Sequence, residues 1–132
     1  MHEWSLAEAI ISAVFSIAEG ENLKEVKEVH LRLGELQQIE VEILKFALLQ
    51  MKKGKLSNAK FTVRTARAKF KCRACDHTWT FKEMKISDDI RESIHFIPEV
   101  AHAYIKCPRC GSPDFDVLQG RGLWITRVKG VK

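Results

Sequence analysis

Leu6, Ile10, Val14 and Ile17 recur every three to four residues near the start of the chain, a period that predicts a helix with one apolar stripe. Ser5 and Glu8 stand ahead of that stripe with the S-x-x-E spacing of a capping box, and Gly20 marks the expected end. A cap at Ser5 leaves Met1-His2-Glu3 as a free arm just before a rigid element. Val29, Leu31 and Leu33 then alternate with Glu28, His30 and Arg32, which predicts a half-buried strand closed by Gly34. A second helix is expected at about Glu40–Lys53, with Val41, Leu44, Leu48 and Met51 on one face and Gly54 just beyond it. Phe61, Val63 and Thr65 suggest another strand. Gly120-Arg121-Gly122 leads into the β-prone run Leu123–Val128, read as a last strand.

One helix and one strand cannot close a core, so the final strand is expected to return to the first sheet. The fold class is therefore α+β. Two helices lie on a three-stranded sheet in one lobe, formed by residues 1–67 and 119–132. A second lobe, residues 68–118, is inserted into it and contains all four cysteines. The doubled cysteine pair is the sole internal repeat.

With 45% apolar and 30% charged residues, the composition is that of a soluble globular protein. No apolar run approaches the roughly 20 residues that a membrane helix requires. Glu3 and Glu8 stand where a secretory signal would be positive, so no export signal is expected and the thiols should stay reduced in a cytosol-like compartment. The net charge of +5 raises the question of nucleic acid. Its distribution answers against it: residues 68–118 hold eight basic and eight acidic side chains, whereas the last fourteen residues hold four basic and none acidic. A phosphate-tracking face on the cysteine segment is not supported, and a basic C-terminal strand is left as a docking surface.

Cys72-Arg-Ala-Cys75 and Cys107-Pro-Arg-Cys110-Gly111 are two C-x-x-C knuckles, 31 residues apart. Each tight turn aims two thiolates at one point, and two such turns complete a tetrahedral shell suited to structural zinc. Four thiolates leave no position for a zinc-bound water, and the His-x-Glu of nucleic-acid deaminases is absent. No nucleophilic triad, phosphate-binding loop or carboxylate pair stands out, so an enzyme is not expected.

Met1-His2-Glu3 offers different chemistry. An α-amine, a backbone amide and the His2 imidazole can form adjoining chelate rings, and a planar nitrogen set favours Ni(II) or Cu(II). The plainer reading of the same residue is that His2 is simply an exposed terminal residue. Two functional classes stay open on the residues alone: a metal-delivery protein, or a zinc-ribbon adaptor whose His2 is incidental.

The opening Met1-His2-Glu3, the early helix, Leu33-Gly34-Glu35-Leu36 closing a strand, and two knuckles followed by a Gly-rich strand occur here in one order. In that order they resemble the hydrogenase maturation factor family HypA (HybF), nickel metallochaperones, over nearly the whole chain. The resemblance implies a nickel-binding lobe with Met1, His2 and Glu3 as ligands, and a zinc lobe held by Cys72, Cys75, Cys107 and Cys110. It implies delivery of Ni(II) as cargo to a [NiFe]-hydrogenase large subunit, with HypB, a nucleotide-hydrolysing factor, as partner. No nucleic-acid or membrane partner is expected, and the protein is read as a monomer or homodimer in the cytoplasm.

The long segment between the knuckles departs from the commonest family pattern. It carries His95 and His102 in the apolar stretch Ile94–Tyr104, and His95 is favoured as a further nickel ligand when a partner is met. His30 is read as solvated, His77 as a turn residue, Asp88-Asp89 as a cap or solvated pair, and Trp4, Trp79 and Trp124 as packing residues.

Overall fold

The computed structural model describes residues 3–37, 39–84, 88–90, 93 and 105–132. The helices are α1 (Glu3–Gly20) and α2 (Val41–Met51). The strands are β1 (Glu25–Gly34), β2 (Lys60–Ala66), β3 (Lys69–Cys72), β4 (Thr78–Thr80), β5 (Phe115–Gln119) and β6 (Leu123–Val131). They form two three-stranded sheets, ordered β2-β1-β6 and β4-β3-β5. The chain divides into two compact units. One comprises Met1–Arg32, Ile39–Arg64 and Leu123–Lys132; the other comprises Leu33–Gln38 and Thr65–Gly122.

In the first unit α1 buries Ala7, Ile10, Ile11, Val14 and Ala18. Leu6 is only partly buried and Ile17 is exposed, so the apolar stripe is rotated slightly from the expected one. The helix also begins before the expected cap. Glu3 is helical and only 3% exposed, so it is no part of a free arm, and Ser5 and Glu8 lie exposed inside the helix. At the other end, Asn22 takes the left-handed conformation (φ 56°) while the Leu23 N–H donates to Ala18. Asn in that position satisfies the last carbonyls of a helix.

Leu44, Ala47 and Leu48 of α2 meet α1, and Val26, Val29 and Leu31 of β1 complete the core. The last strand returns to the first sheet as the pattern required. The Lys24 N–H donates to Val131 and the Gly34 N–H to Gly122, so β1 and β6 run antiparallel.

The second unit packs Phe70, Trp79, Phe81 and Phe115 into one aromatic cluster, with ring centroids 5.3–5.7 Å apart around Phe70 and Trp79. Alternation on β3 explains it: Phe70 and Cys72 face inward while Lys69 and Lys71 face out. β3 pairs antiparallel with β4 and with β5. Gly34 matters here because a side chain on it would collide with the backbone of Gly120. Among the described residues, no helix is long and apolar enough to cross a membrane.

Candidate metal centres

Cys72 ends β3, and the chain turns sharply after it. The Asp76 N–H donates to the Cys72 carbonyl at 3.0 Å, and the Cys72 N–H donates to His77 at 2.8 Å. The second knuckle repeats this pattern: Gly111 N–H to Cys107 carbonyl at 2.8 Å, and Cys107 N–H to Ser112 at 2.9 Å. Both turns need a left-handed residue one place after the second cysteine. Asp76 (φ 63°) supplies it in one and Gly111 (φ 77°) in the other. Asp tolerates that region and Gly takes it without steric cost.

Arg73 ties the knuckles together. Its backbone N–H donates to the Asp114 carbonyl, and its guanidinium donates to the carboxylates of Asp114 and Asp116. Those bonds, with the Asp116 one foremost, raise the already high pKa of Arg73.

The four sulfurs consequently converge, all within 4.8 Å of one another. Cys72 and Cys110 are 3.5 Å apart, and Cys75 and Cys107 3.6 Å. A Zn–S bond of about 2.3 Å gives tetrahedral edges of about 3.8 Å. The cluster therefore has the size of a four-thiolate zinc shell, and the cysteines are positioned to bind zinc.

The protonation of these thiols is mutually dependent. The His77 N–H lowers Cys75, but burial and the sulfurs of Cys107, Cys110 and Cys72 outweigh it and push this thiol up to about 12. Burial raises Cys107, yet the N–H groups of Cys110 and Arg109, with neighbouring sulfurs, bring it down to about 6. Crowded thiols cannot all ionise without a counter-charge, so a cation here must displace protons. His77 stands outside the cluster. Its ring bonds Glu83 at 3.3 Å and stacks on Trp79 at 6.1 Å.

At the amino-terminal candidate site the described residues begin with Glu3; Met1 and His2 lie outside them, as do His95 and His102. The Glu3 carboxylate accepts the Glu40 N–H at 3.4 Å, linking the start of α1 to the N-cap of α2. A hydrogen bond with the chain's α-amine, foremost, holds its carboxyl below the usual range against the effect of burial. Bonds from the N–H groups of Glu40 and of Glu3 itself add to that lowering.

Several expected background residues are settled by this geometry. His30 is half-buried against Glu28 at 3.3 Å rather than freely solvated. Trp79 is a core residue, and Trp4 meets Phe46 edge-on at 6.0 Å. Trp124 does not pack as expected; it is 56% exposed. The sequence reading missed Glu35, whose carboxylate accepts the Ala68 N–H at 2.8 Å and so braces the start of β3 within the cysteine unit. The sole signal for it was the Leu33-Gly34-Glu35-Leu36 motif itself.

Comparison with known proteins places these features. The family model described as "Hydrogenase/urease nickel incorporation, metallochaperone, hypA" matches residues 1–130. A hydrogenase maturation factor HypA from Thermococcus gammatolerans is 48% identical over 131 residues, covering 97% of this chain and 94% of that one. Its counterpart from Pyrococcus furiosus is 46% identical with the same coverage. The solution structure of a nickel metallochaperone HypA from Helicobacter pylori superposes with a TM-score of 0.64 at 16% identity, covering 99% of this chain and 98% of that one, and supports the fold. The chain belongs to the HypA family of nickel metallochaperones and hydrogenase maturation factors.

Proposed function

We propose that the protein carries Ni(II) at its amino terminus and passes it to a [NiFe]-hydrogenase large subunit, together with a HypB-type nucleotide-hydrolysing partner. It works by binding and handing on rather than by turnover, in the cytoplasm, and a zinc ion on Cys72, Cys75, Cys107 and Cys110 holds its second unit folded. The lobes correspond to residues 1–67 with 119–132 for nickel and 68–118 for zinc. One observation carries the nickel reading: the nickel-incorporation family model matches from residue 1 and so spans Met1-His2-Glu3, where Glu3 is buried with its carboxylate accepting the Glu40 N–H. Nickel coordination by an amine, amides and the His2 imidazole expels protons to solvent, so affinity should rise with pH. His95 is assigned to the remaining nickel position when the partner is engaged.

Nickel titration of untagged protein with its native amino terminus tests this. Stoichiometric binding that strengthens with pH is expected, abolished by His2→Ala and by one extra residue before Met1. Normal binding by the extended protein would refute the terminal chelate. His95→Ala should impair nickel transfer in the presence of the partner while leaving zinc in place.

A further inference from the structure

Among the described residues, β6 has a partner strand on one side only. The sheet order β2-β1-β6 leaves it as an edge, nine residues long, and its Val131 carbonyl and Thr126 hydroxyl bond toward the β1 side, to the Lys24 N–H and the His30 carbonyl. An exposed edge of that length is a template for another strand. The two faces beside it differ in chemistry. On the helix side, Leu6, Ala9, Ile10 and Ala13 of α1 with Leu123 and Ile125 of β6 line an apolar depression of about 280 Å³. On the opposite face, Arg32, Arg64 and Arg127, the last placed where the in–out alternation of β6 slips at Thr126–Arg127, contribute one residue from each strand to a second depression of about 360 Å³. Among the described residues none of these three arginines has an ion-pair partner within 4.0 Å, whereas Lys129 beside them is paired with Glu28 at 3.6 Å. The last fourteen residues contain no acidic side chain.

We propose that the β6 edge takes up an extended segment of a partner protein as a fourth strand, one in which apolar residues alternate with carboxylates. Alternation puts every second side chain of an added strand on the same face. Apolar residues would enter the depression beside α1, and carboxylates would face Arg127 and Arg32, whose planar forks match them. Main-chain bonds supply affinity and the two faces supply selectivity. A nucleic acid would satisfy the arginines but leave the strand's free N–H and C=O groups unused; a polypeptide satisfies both. The inference stands apart from the metal chemistry, since it uses neither candidate centre. The competing view is that basic residues on an edge strand merely prevent pairing. It accounts for the charge but not for the apolar depression.

The probe is a labelled, end-capped peptide of alternating Val and Glu, added to the full-length, zinc-loaded protein. Fluorescence anisotropy reads its binding, and hydrogen exchange reads the amides of Leu123–Val131. Binding with slowed exchange along β6 is expected. Arg127→Glu should weaken it by about tenfold or more, and so should Ala13→Leu, which fills the depression. Ala9→Leu, at an exposed position, repeats the filling test if Ala13→Leu disturbs folding. Equal binding of an alternating Gly and Glu peptide, or of a single-stranded oligonucleotide, would overturn the proposal by showing that charge alone suffices. So would binding without added protection of β6, or no binding at all.

Discussion

The two units of the molecule reach rigidity by different routes. The first buries Val14, Val26, Val29, Leu31, Leu44 and Leu48 between two helices and a sheet, an ordinary apolar core. The second has a smaller, largely aromatic cluster that includes Cys72 and Cys107, and beside it four sulfurs drawn together by two turns with the same hydrogen-bond pattern. One unit is organised by apolar burial; the other brings together four thiols whose crowding a cation would relieve. The difference bears on chemistry as well as stability.

The largest expected effect breaks the comparison outright. Structural zinc contributes apparent free energies of roughly 10–16 kcal/mol in small domains. Strong chelation, or Cys72→Ser, should therefore unfold the second unit while circular dichroism still reports α1 and α2. A single unchanged melting transition after zinc removal would show that the aromatic cluster suffices alone. Next comes Leu44→Ala, at a fully buried position of the first unit. A loss of about 2–5 kcal/mol is expected in denaturant unfolding, with zinc content unchanged.

Glu3→Gln sharpens the comparison at the first unit's candidate centre. Removing the charge from a buried acceptor of charged and amide donors should destabilise by roughly 1.5–3 kcal/mol. The pH dependence follows from the direction of the shift. Because the folded carboxyl lies below its ordinary range, its contribution is full above that range and is lost as pH falls through the lowered value. The Gln variant should lack that part of the acid-side slope in stability. The smallest effect is expected at Glu28, an exposed carboxyl lowered first by its bond with His30 and then by Lys129. Its sign is the same, stabilising above the ordinary carboxylate range and fading in acid. Glu28→Gln should shift thermal stability near neutral pH only slightly.

Much of this was legible in the sequence, for local reasons. The period of Ile10 and Val14 shows α1, and paired C-x-x-C turns show the cysteine cluster, because both depend on residues close together in the chain. The start of α1 was misread for the opposite reason. Ser5 and Glu8 form a sound local cap signal, but the bond between Glu3 and Glu40 spans 37 positions and no local pattern records it. The same holds for Gly34, whose need for a bare Cα arises from Gly120. β4, three residues long, is too short for alternation to declare itself. Trp124 reads as a packing residue by its type, but it alternates with the core-packed Leu123 and Ile125 and so stands on the open face of β6.

The return of β6 to β1 also sets an order of events at the ribosome. The Thr126 hydroxyl bonds the His30 carbonyl across 96 positions of chain, and everything between them leaves the exit tunnel first. Both knuckles are synthesised before the third strand of the first sheet exists. The cysteine unit is thus free to capture its ion while the amino-terminal unit still lacks a strand. Newly made chains are expected to load the ion they keep before they finish building the lobe proposed to carry the ion they give away.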